Sequence, residues 1–257
     1  MRLLRLSTLL LTLLSAGLSF NQITWAGTFS QLSSNRWVTV SKVYDGDTFK
    51  TRSGEKVRLL GINTPEIAHG GKPGQPFGKI AKHELKSLIQ GKLVRLQFDR
   101  EKRDKYGRLL AHIYLRDGTW INAHMIERGL AHSYTFAPNF RHSSELLKKE
   151  RTARNSKPGI WNNPRFKLLK ASRAGEKHIG QFRVVSGKIV SIEKKKWGFK
   201  LGKLSITVPK AHRKWFKTPP ELKLNTLVTV HGKIRISSRG KLYLALHSPY
   251  DLEIMKP

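Results

Sequence analysis

The chain has 257 residues, with 49 Lys+Arg against 17 Asp+Glu and a formal charge of +32. A field of that sign attracts polyanions and repels cationic partners; nucleic acid, an anionic membrane surface and a cell-wall polymer all satisfy it. The absence of cysteine excludes disulfides, thiolate metal sites and cysteine nucleophiles, so stability must rest on packing.

In chain order, Arg2 and Arg5 stand beside an apolar run, and Thr24-Trp25-Ala26 ends in a small residue. This pattern predicts a signal peptide over residues 1–26, cleaved near Ala26, and hence an exported protein, periplasmic or secreted. The apolar stretch is interrupted by Ser7, Thr8, Thr12 and Ser15 and falls short of the roughly 20 residues that a spanning helix needs. No stable membrane insertion is expected.

From Trp37 the alternation of Val38, Val40 and Val43 predicts a strand, then a turn at Asp45-Gly46-Asp47, then a second strand from Thr48 to Thr51. A third apolar run, Val57 to Ile62, stops at Asn63-Thr64-Pro65, because proline cannot donate to a ladder and restrains the residue before it. After a Gly- and Pro-rich loop, Ile80, Ala81, Leu85, Leu88 and Ile89 recur at helical spacing within 77–90. Leu93 to Phe98 and Leu109 to Leu115 form an expected hairpin around the basic turn 101–107. Residues 121–131 and 143–154 are expected helices. Five short strands with helices inserted and appended describe an antiparallel barrel rather than repeated βαβ units.

Residues 162–180 hold few apolar positions and are expected to be a basic linker. Four further strand-like runs follow, over 182–192, 203–208, 227–236 and 241–246, predicting a second, smaller β domain over 181–257. From Asn162 onward the chain carries 22 basic and 5 acidic residues, over half of the total net charge. In that segment Trp197, Phe199, Trp215 and Phe216 lie among lysines and arginines, a mixture that either stacks bases while tracking phosphates or fills a core beneath a solvated basic surface.

In so basic a chain the placement of acidic residues is informative. Asp45 and Asp47 share one turn and Glu66 follows another; short carboxylates beside a tight Gly turn suit a hard cation such as Ca2+, although Asp-Gly-Asp is also an ordinary hairpin sequence. Arg58 sits in an otherwise apolar strand, where an unpaired guanidinium facing inward is costly and a solvent-facing one is not. Arg108 closes a polar hairpin. Guanidinium forks are suited to the charge that develops on a phosphoryl group, so both are candidates for phosphodiester chemistry.

Taken together, Asp45-Gly46-Asp47-Thr48, Arg58-Leu59-Leu60-Gly61-Ile62-Asn63-Thr64-Pro65-Glu66, Asp104-Lys105-Tyr106-Gly107-Arg108, Glu127-Arg128-Gly129-Leu130-Ala131 and Gly159-Ile160-Trp161 resemble the motifs of the staphylococcal nuclease (thermonuclease) family, in family order, over residues 37–161. The resemblance implies a five-stranded OB-type barrel with three helices, an α+β fold that is mainly β. It implies a Ca2+ site made by Asp47, residue 63 and the Thr64 carbonyl, with Asp45 in outer support. Glu66 would position or deprotonate the attacking water, and Arg58 and Arg108 would grip the phosphate. Lys105 and Tyr106 match residues near the terminal phosphate, and Tyr134 and Phe136 match two tyrosines that lie over the nucleotide, Phe136 without the hydroxyl. Asn63 stands where the family usually has aspartate, which removes a formal charge from the metal site.

The implied activity is Ca2+-assisted endonucleolytic cleavage of DNA or RNA to 3′-phosphate ends, by a monomer that requires no protein partner. Two other readings stay open: a catalytically weakened nucleic-acid-binding module, and a cationic protein that binds anionic cell-surface polymer. The second domain resembles a small OB-type barrel at the level of pattern only.

Overall fold

The computed structural model describes residues 35–255; the expected leader and its cleavage point lie outside them. The first strand, β1 (Asn35–Val43), buries Val38 and Val40 and then Val43, breaking the two-residue period. The break is a bulge between Val40 and Lys42, where the Ser41 hydroxyl donates to the Lys50 and Thr51 carbonyls. That extra residue brings Val43 back to the core and bends the strand. Strands β2 (Thr48–Thr51) and β3 (Lys56–Leu59) continue the meander antiparallel.

A two-residue strand, β4 (Ile62–Asn63), leads to helix α1 (Gly78–Ile89), followed by the hairpin of β5 (Leu93–Arg103) and β6 (Leu109–Tyr114). Strand β6 runs parallel to β3, and β5 pairs antiparallel with both β6 and β1, which closes a barrel in the order β1-β2-β3-β6-β5. Closure leaves no free edge in this sheet. The expected five-stranded barrel is therefore present, and with it the α+β class.

Helix α1 lays Gly78, Ala81, Leu85 and Ile89 against the barrel, while Ile80, expected on that face, is 54% exposed because it lies about 100° around the axis from Ala81. Helix α2 spans Ile121–Glu127 and ends four residues sooner than expected. Gly129 adopts φ +63, and its carbonyl accepts from the Ile160 amide, so the chain leaves the helix there and returns as β7 (His132–Ser133), which pairs with β4. Helix α3 spans Ser143–Ser156. Strand β5 also runs on to Arg103, past the expected end at Phe98; its last five residues are charged and mostly exposed, and Arg103 still pairs with Leu109 across the hairpin.

The remaining strands are β8 (Leu169–Lys170), β9 (Phe182–Lys188), β10 (Ser191–Glu193), β11 (Gly198–Leu201), β12 (Leu204–Thr207), β13 (Leu227–Ile236), β14 (Leu242–Ala245) and β15 (Leu252–Ile254). They form one sheet in the order β10-β11-β12-β14-β13-β9-β8, with β15 paired to β13. Within residues 162–180, Phe166, Leu169 and Ala171 are buried and β8 pairs parallel with β9. Phe199 and Phe216 are core residues of the second sheet, and Trp197 and Trp215 pack half-buried against that core, so packing accounts for the aromatics scattered among the lysines. Among the described residues no helix is long and apolar enough to cross a membrane.

The described residues form one compact unit. Helix α3 is the seam: the Glu253 carboxylate on β15 accepts from Arg151 Nε at 2.9 Å, from Arg154 Nη2 at 2.6 Å and from His231 Nε2 at 3.0 Å. Burial alone raises the Glu253 carboxyl, but the His231 bond and the Arg154 charge hold it down to about 2. Because the folded value lies below the ordinary 4.5, this carboxylate stabilises the fold above pH 4.5 and that contribution is lost as pH falls towards 2. Replacing Glu253→Ala leaves Arg154 and His231 with Glu150 alone, at 3.5 and 3.7 Å, as their buried anion and is expected to cost about 3 kcal/mol near neutral pH. Urea titrations of both proteins check this: the gap in midpoints should narrow on acidification below pH 4.5, and a pH-independent gap would refute the assignment.

Candidate active site

The Asp45-Gly46-Asp47 turn joins β1 to β2 and is pressed against α1. A side chain at Gly46 would put its Cβ 2.7 Å from the Ala81 Cβ and 2.8 Å from Thr64 Oγ1, so only glycine lets the turn seat there. Asp45 Oδ1 accepts from the Asp47 amide at 3.0 Å and tightens the turn. The Asp47 side chain, 9% exposed, then points inward. Its Oδ2 accepts from both the amide and the hydroxyl of Thr64 at 3.0 Å, and its Oδ1 accepts from Thr48 Oγ1 at 3.1 Å.

Arg58, on β3, completes this centre. Thr48 and Arg58 are cross-strand partners, so the two strands carry the carboxylate and the guanidinium to the same end of the barrel. Arg58 Nη2 lies 3.0 Å from Asp47 Oδ2 and donates to Asn63 Oδ1 at 3.1 Å, while Nη1 donates to the Leu59 carbonyl at 3.0 Å. The inward-facing alternative for Arg58 is therefore the observed one, and it is paired as burial demands. Beneath it lies the Phe136 ring, 5.5 Å from Cζ.

Asp47 is close enough to perturb Asp45. Burial, and then the charge of Asp47, push the Asp45 carboxyl up from 3.8 to about 6, against the opposing Asp47 amide bond and the Arg58 charge. Glu66 is raised by loss of hydration and by Asp47, with Arg58 and Arg108 pulling the other way. Its carboxylate makes no hydrogen bond or ion pair among the described residues; the loop is held instead through its backbone, by Gln75. Glu66 thus sits as an unengaged acid in the field of both arginines.

Arg108 stands at the end of the hairpin turn, where Asp104 Oδ2 accepts from Nε at 2.8 Å and Oδ1 accepts from the Arg108 and Tyr106 amides. Burial raises Asp104, but these bonds from Arg108 and Tyr106 outweigh it and hold the carboxyl below its usual value. The terminal nitrogens of Arg108 make no hydrogen bond or ion pair among the described residues. Tyr106, 73% exposed, lies under both Arg108 at 5.6 Å and Lys105 at 5.0 Å. Tyr134 and Phe136 stack edge to face with centroids 4.7 Å apart, and Tyr134 also meets Phe182 of β9 at 5.4 Å. The eleven residues singled out in the sequence therefore lie in linked groups: the carboxylate pair with Arg58, Asn63 and Thr64, the Glu66 loop, the Arg108 hairpin, and the aromatic pair.

These residues fit a hard cation. Burial, and then the neighbouring Asp47 charge, raise the Asp45 carboxyl to about 6, so an added cation would be favoured there, and the Asn63 amide oxygen is a neutral oxygen donor held beside Asp47 by their common contact with Arg58. Among the described residues no three His, Asp or Glu side chains form a metal cluster, so any such ion leans on neutral oxygens such as Asn63 and the Thr64 carbonyl. Sequence reasoning missed Thr48 and Thr64 as the hydroxyls that fix Asp47, and Phe182, Lys233 and Arg165, which wall the cleft beside Asn63 and Glu66. The last three lie a hundred or more residues from Asn63 and carry no local signal.

The model described as "Staphylococcal nuclease homologue" matches residues 56–163. The thermonuclease of Staphylococcus intermedius is 34% identical over 159 residues, which span 60% of this chain and 94% of that protein. The chain belongs to the staphylococcal nuclease family. The thermonuclease of Staphylococcus hyicus is 32% identical over 127 residues, 48% of this chain and 75% of that protein. The endonuclease YncB of Bacillus subtilis is 36% identical over 130 residues, 49% of this chain and 61% of that protein. The family match ends at residue 163, before the second sheet.

The Asp45 carboxyl yields a test of the carboxylate pair. Its folded value, raised to about 6, means that ionising it costs stability above that pH, whereas below 3.8 it is protonated in both states and costs nothing. Asp45→Asn keeps the acceptor that closes the turn and is expected to stabilise the protein by up to about 3 kcal/mol at about pH 8 in chelator. The gain should vanish by pH 3.8. Equal urea midpoints for the two proteins at the higher pH would refute the coupling.

Proposed function

We propose that this protein is an exported endonuclease that hydrolyses phosphodiester bonds of DNA or RNA with Ca2+ and leaves 3′-phosphate ends. The observation that carries the reading is the unengaged Glu66 carboxylate in the field of Arg58 and Arg108, beside the Asp45 and Asp47 pair. Relatives named as thermonucleases and endonucleases support the reaction class.

Glu66, raised above the usual carboxylate range, is suited to take a proton from an attacking water, because a base works best when its affinity for the proton approaches that of the medium. The water oxygen bonds to phosphorus as the P–O5′ bond breaks; the proton goes to Glu66 and the departing 5′-oxygen takes one from solvent. Arg108 has two terminal nitrogens without a hydrogen-bond partner among the described residues and can donate both to non-bridging oxygens. Arg58 has Nη2 committed to Asp47 and Asn63, so its contribution is charge close to the phosphoryl group rather than a free fork. A bound Ca2+, held by Asp47, Asn63 and the Thr64 carbonyl with Asp45 behind, would supply Lewis-acid charge to a phosphoryl oxygen. Phosphate contacts of this kind read no base, in keeping with action on both DNA and RNA.

Arg108→Ala is expected to slow cleavage of plasmid DNA by about 10²–10³-fold, and Glu66→Gln by about 10²–10⁴-fold while DNA retention in chelator is preserved. Intact DNA and RNA with the wild-type protein at every Ca2+ level would overturn the proposal. Asn63→Asp restores a formal charge to the cation site and should lower the half-saturating Ca2+ concentration about tenfold; an unchanged value would separate residue 63 from the cation.

A further inference from the structure

Two adjoining cavities meet at Asn63. One, of about 600 Å3, has Asn63 and Glu66 on the nuclease barrel facing Arg165, Phe182 and Lys233. The other, of about 210 Å3, has Asn63 and Tyr134 facing Phe182, Lys233 and Arg235. Phe182 and Lys233 line both. They are direct cross-strand partners of β9 and β13 and therefore stand side by side on one face of the second sheet, with Arg235 two residues further along the same face. Ile234 between them is fully buried in the core of that sheet, as the alternation requires.

Glu66 and Asp251 also line these cavities, but neither forms an ion pair with the cations of this wall among the described residues. Lys233 and Arg235 are exposed and make no ion pair or hydrogen bond among the described residues. Arg165 Nη1 is shielded from solvent and has no hydrogen-bond partner, a donor that the fold itself leaves unsatisfied. Against them stands an aromatic pair, Phe182 of β9 with its centroid 5.4 Å from that of Tyr134, which follows β7. Unpaired cations along a groove with aromatic faces between them are the parts from which single-strand channels are made, because bases stack on the rings while phosphates follow the charge.

We propose that the second sheet is the far wall of the substrate channel. A single polynucleotide strand runs past Glu66 and Asn63 with its phosphates against Arg165, Lys233 and Arg235, and an unstacked base meets Phe182 and Tyr134. A duplex keeps both faces of each base covered and offers nothing to these rings. The inference rests on the nuclease reading, but the residues that form the far wall, Arg165, Phe182, Lys233 and Arg235, lie outside the family match at 56–163.

The test is binding of a fluorescein-labelled single-stranded DNA of about 15 nucleotides, followed by anisotropy in chelator so that no turnover is needed. The full chain carrying Lys233→Ala with Arg235→Ala is compared with one carrying Lys188→Ala with Lys203→Ala, which removes the same charge from exposed positions of the same sheet away from both cavities. The cleft pair should weaken single-strand binding about tenfold or more and lower the slope of log affinity against log salt by about 1.4, as for two lost phosphate contacts. The control pair should stay within about threefold, and Phe182→Leu should weaken the single strand more than a duplex of the same sequence. With Ca2+ present, KM for single-stranded DNA should rise in the cleft pair. Equal losses in the two charge pairs, or equal losses for single strand and duplex, would overturn the channel. Binding that behaves as expected in a protein that never cleaves would instead sink the nuclease reading and leave the channel standing.

Discussion

The buried carboxylate of Asp47 is the constraint on which the site depends. It gathers a guanidinium from β3, a hydroxyl from β2, and an amide and a hydroxyl from Thr64, so three chain segments converge on two oxygens. A buried ion pair is a poor way to stabilise a fold, since an apolar pair of equal volume commonly does as well; breaking one, by contrast, is costly. Stability alone therefore does not account for such a pair at one end of the barrel, whereas the proposed chemistry does. The arrangement also explains why Gly46 is fixed: the turn can aim Asp47 inward only if nothing projects towards Ala81 and Thr64.

Asp47 also sets the electrostatics around it. The chain as a whole is strongly positive, yet within this end of the barrel Asp45 and Glu66 both hold their protons more tightly than free carboxyls do. Burial is the larger cause for each and Asp47 the next. A local excess of negative charge inside a globally positive field is a sensible design for hydrolysing a polyanion: the long-range field brings substrate in, and the local carboxylates have the basicity and the oxygen donors that the chemistry needs. Arg58 and Arg108 separate these two scales. Arg58 is locked to Asp47 and belongs to the carboxylate centre, whereas Arg108 is tethered by Nε alone and faces outward with donors to offer.

Much of this was legible in sequence because the informative residues are local. Valines alternating into a Gly-centred turn predicted β1 and β2, and a run ending in Asn-Thr-Pro predicted where the Glu66 loop begins. The site residues were legible for the same reason, since Asp45, Asp47, Arg58, Asn63, Thr64 and Glu66 fall within 22 consecutive positions. Features set by tertiary contact were not. The pairing of β4 with β7 joins two-residue strands far too short to show a period, and the early end of α2 depends on Gly129 meeting Ile160 across the fold. Nor does composition distinguish a linker from a segment that buries Phe166 and Leu169, because both contain prolines, glycines and lysines.

Strand β13 shows how the two halves of the molecule are coupled. One of its faces, Val228, Val230 and Ile234, fills the core of the second sheet. The other face, after the exposed Leu227 at its start, continues with Thr229 and His231, which are buried, with His231 bonded to the Glu253 carboxylate that Arg151 and Arg154 of α3 also grip. Two residues later the same face emerges as Lys233 and then Arg235 at the rim of the cleft beside Asn63. The period of two that defines a strand thus carries one continuous face from a locked seam into an open wall. Because His231 is clamped to α3, the positions of Lys233 and Arg235 relative to Glu66 are set by the seam rather than by a flexible tether. The Glu253 clamp is in this sense a positioning device for the cleft as much as a stabilising contact for the fold.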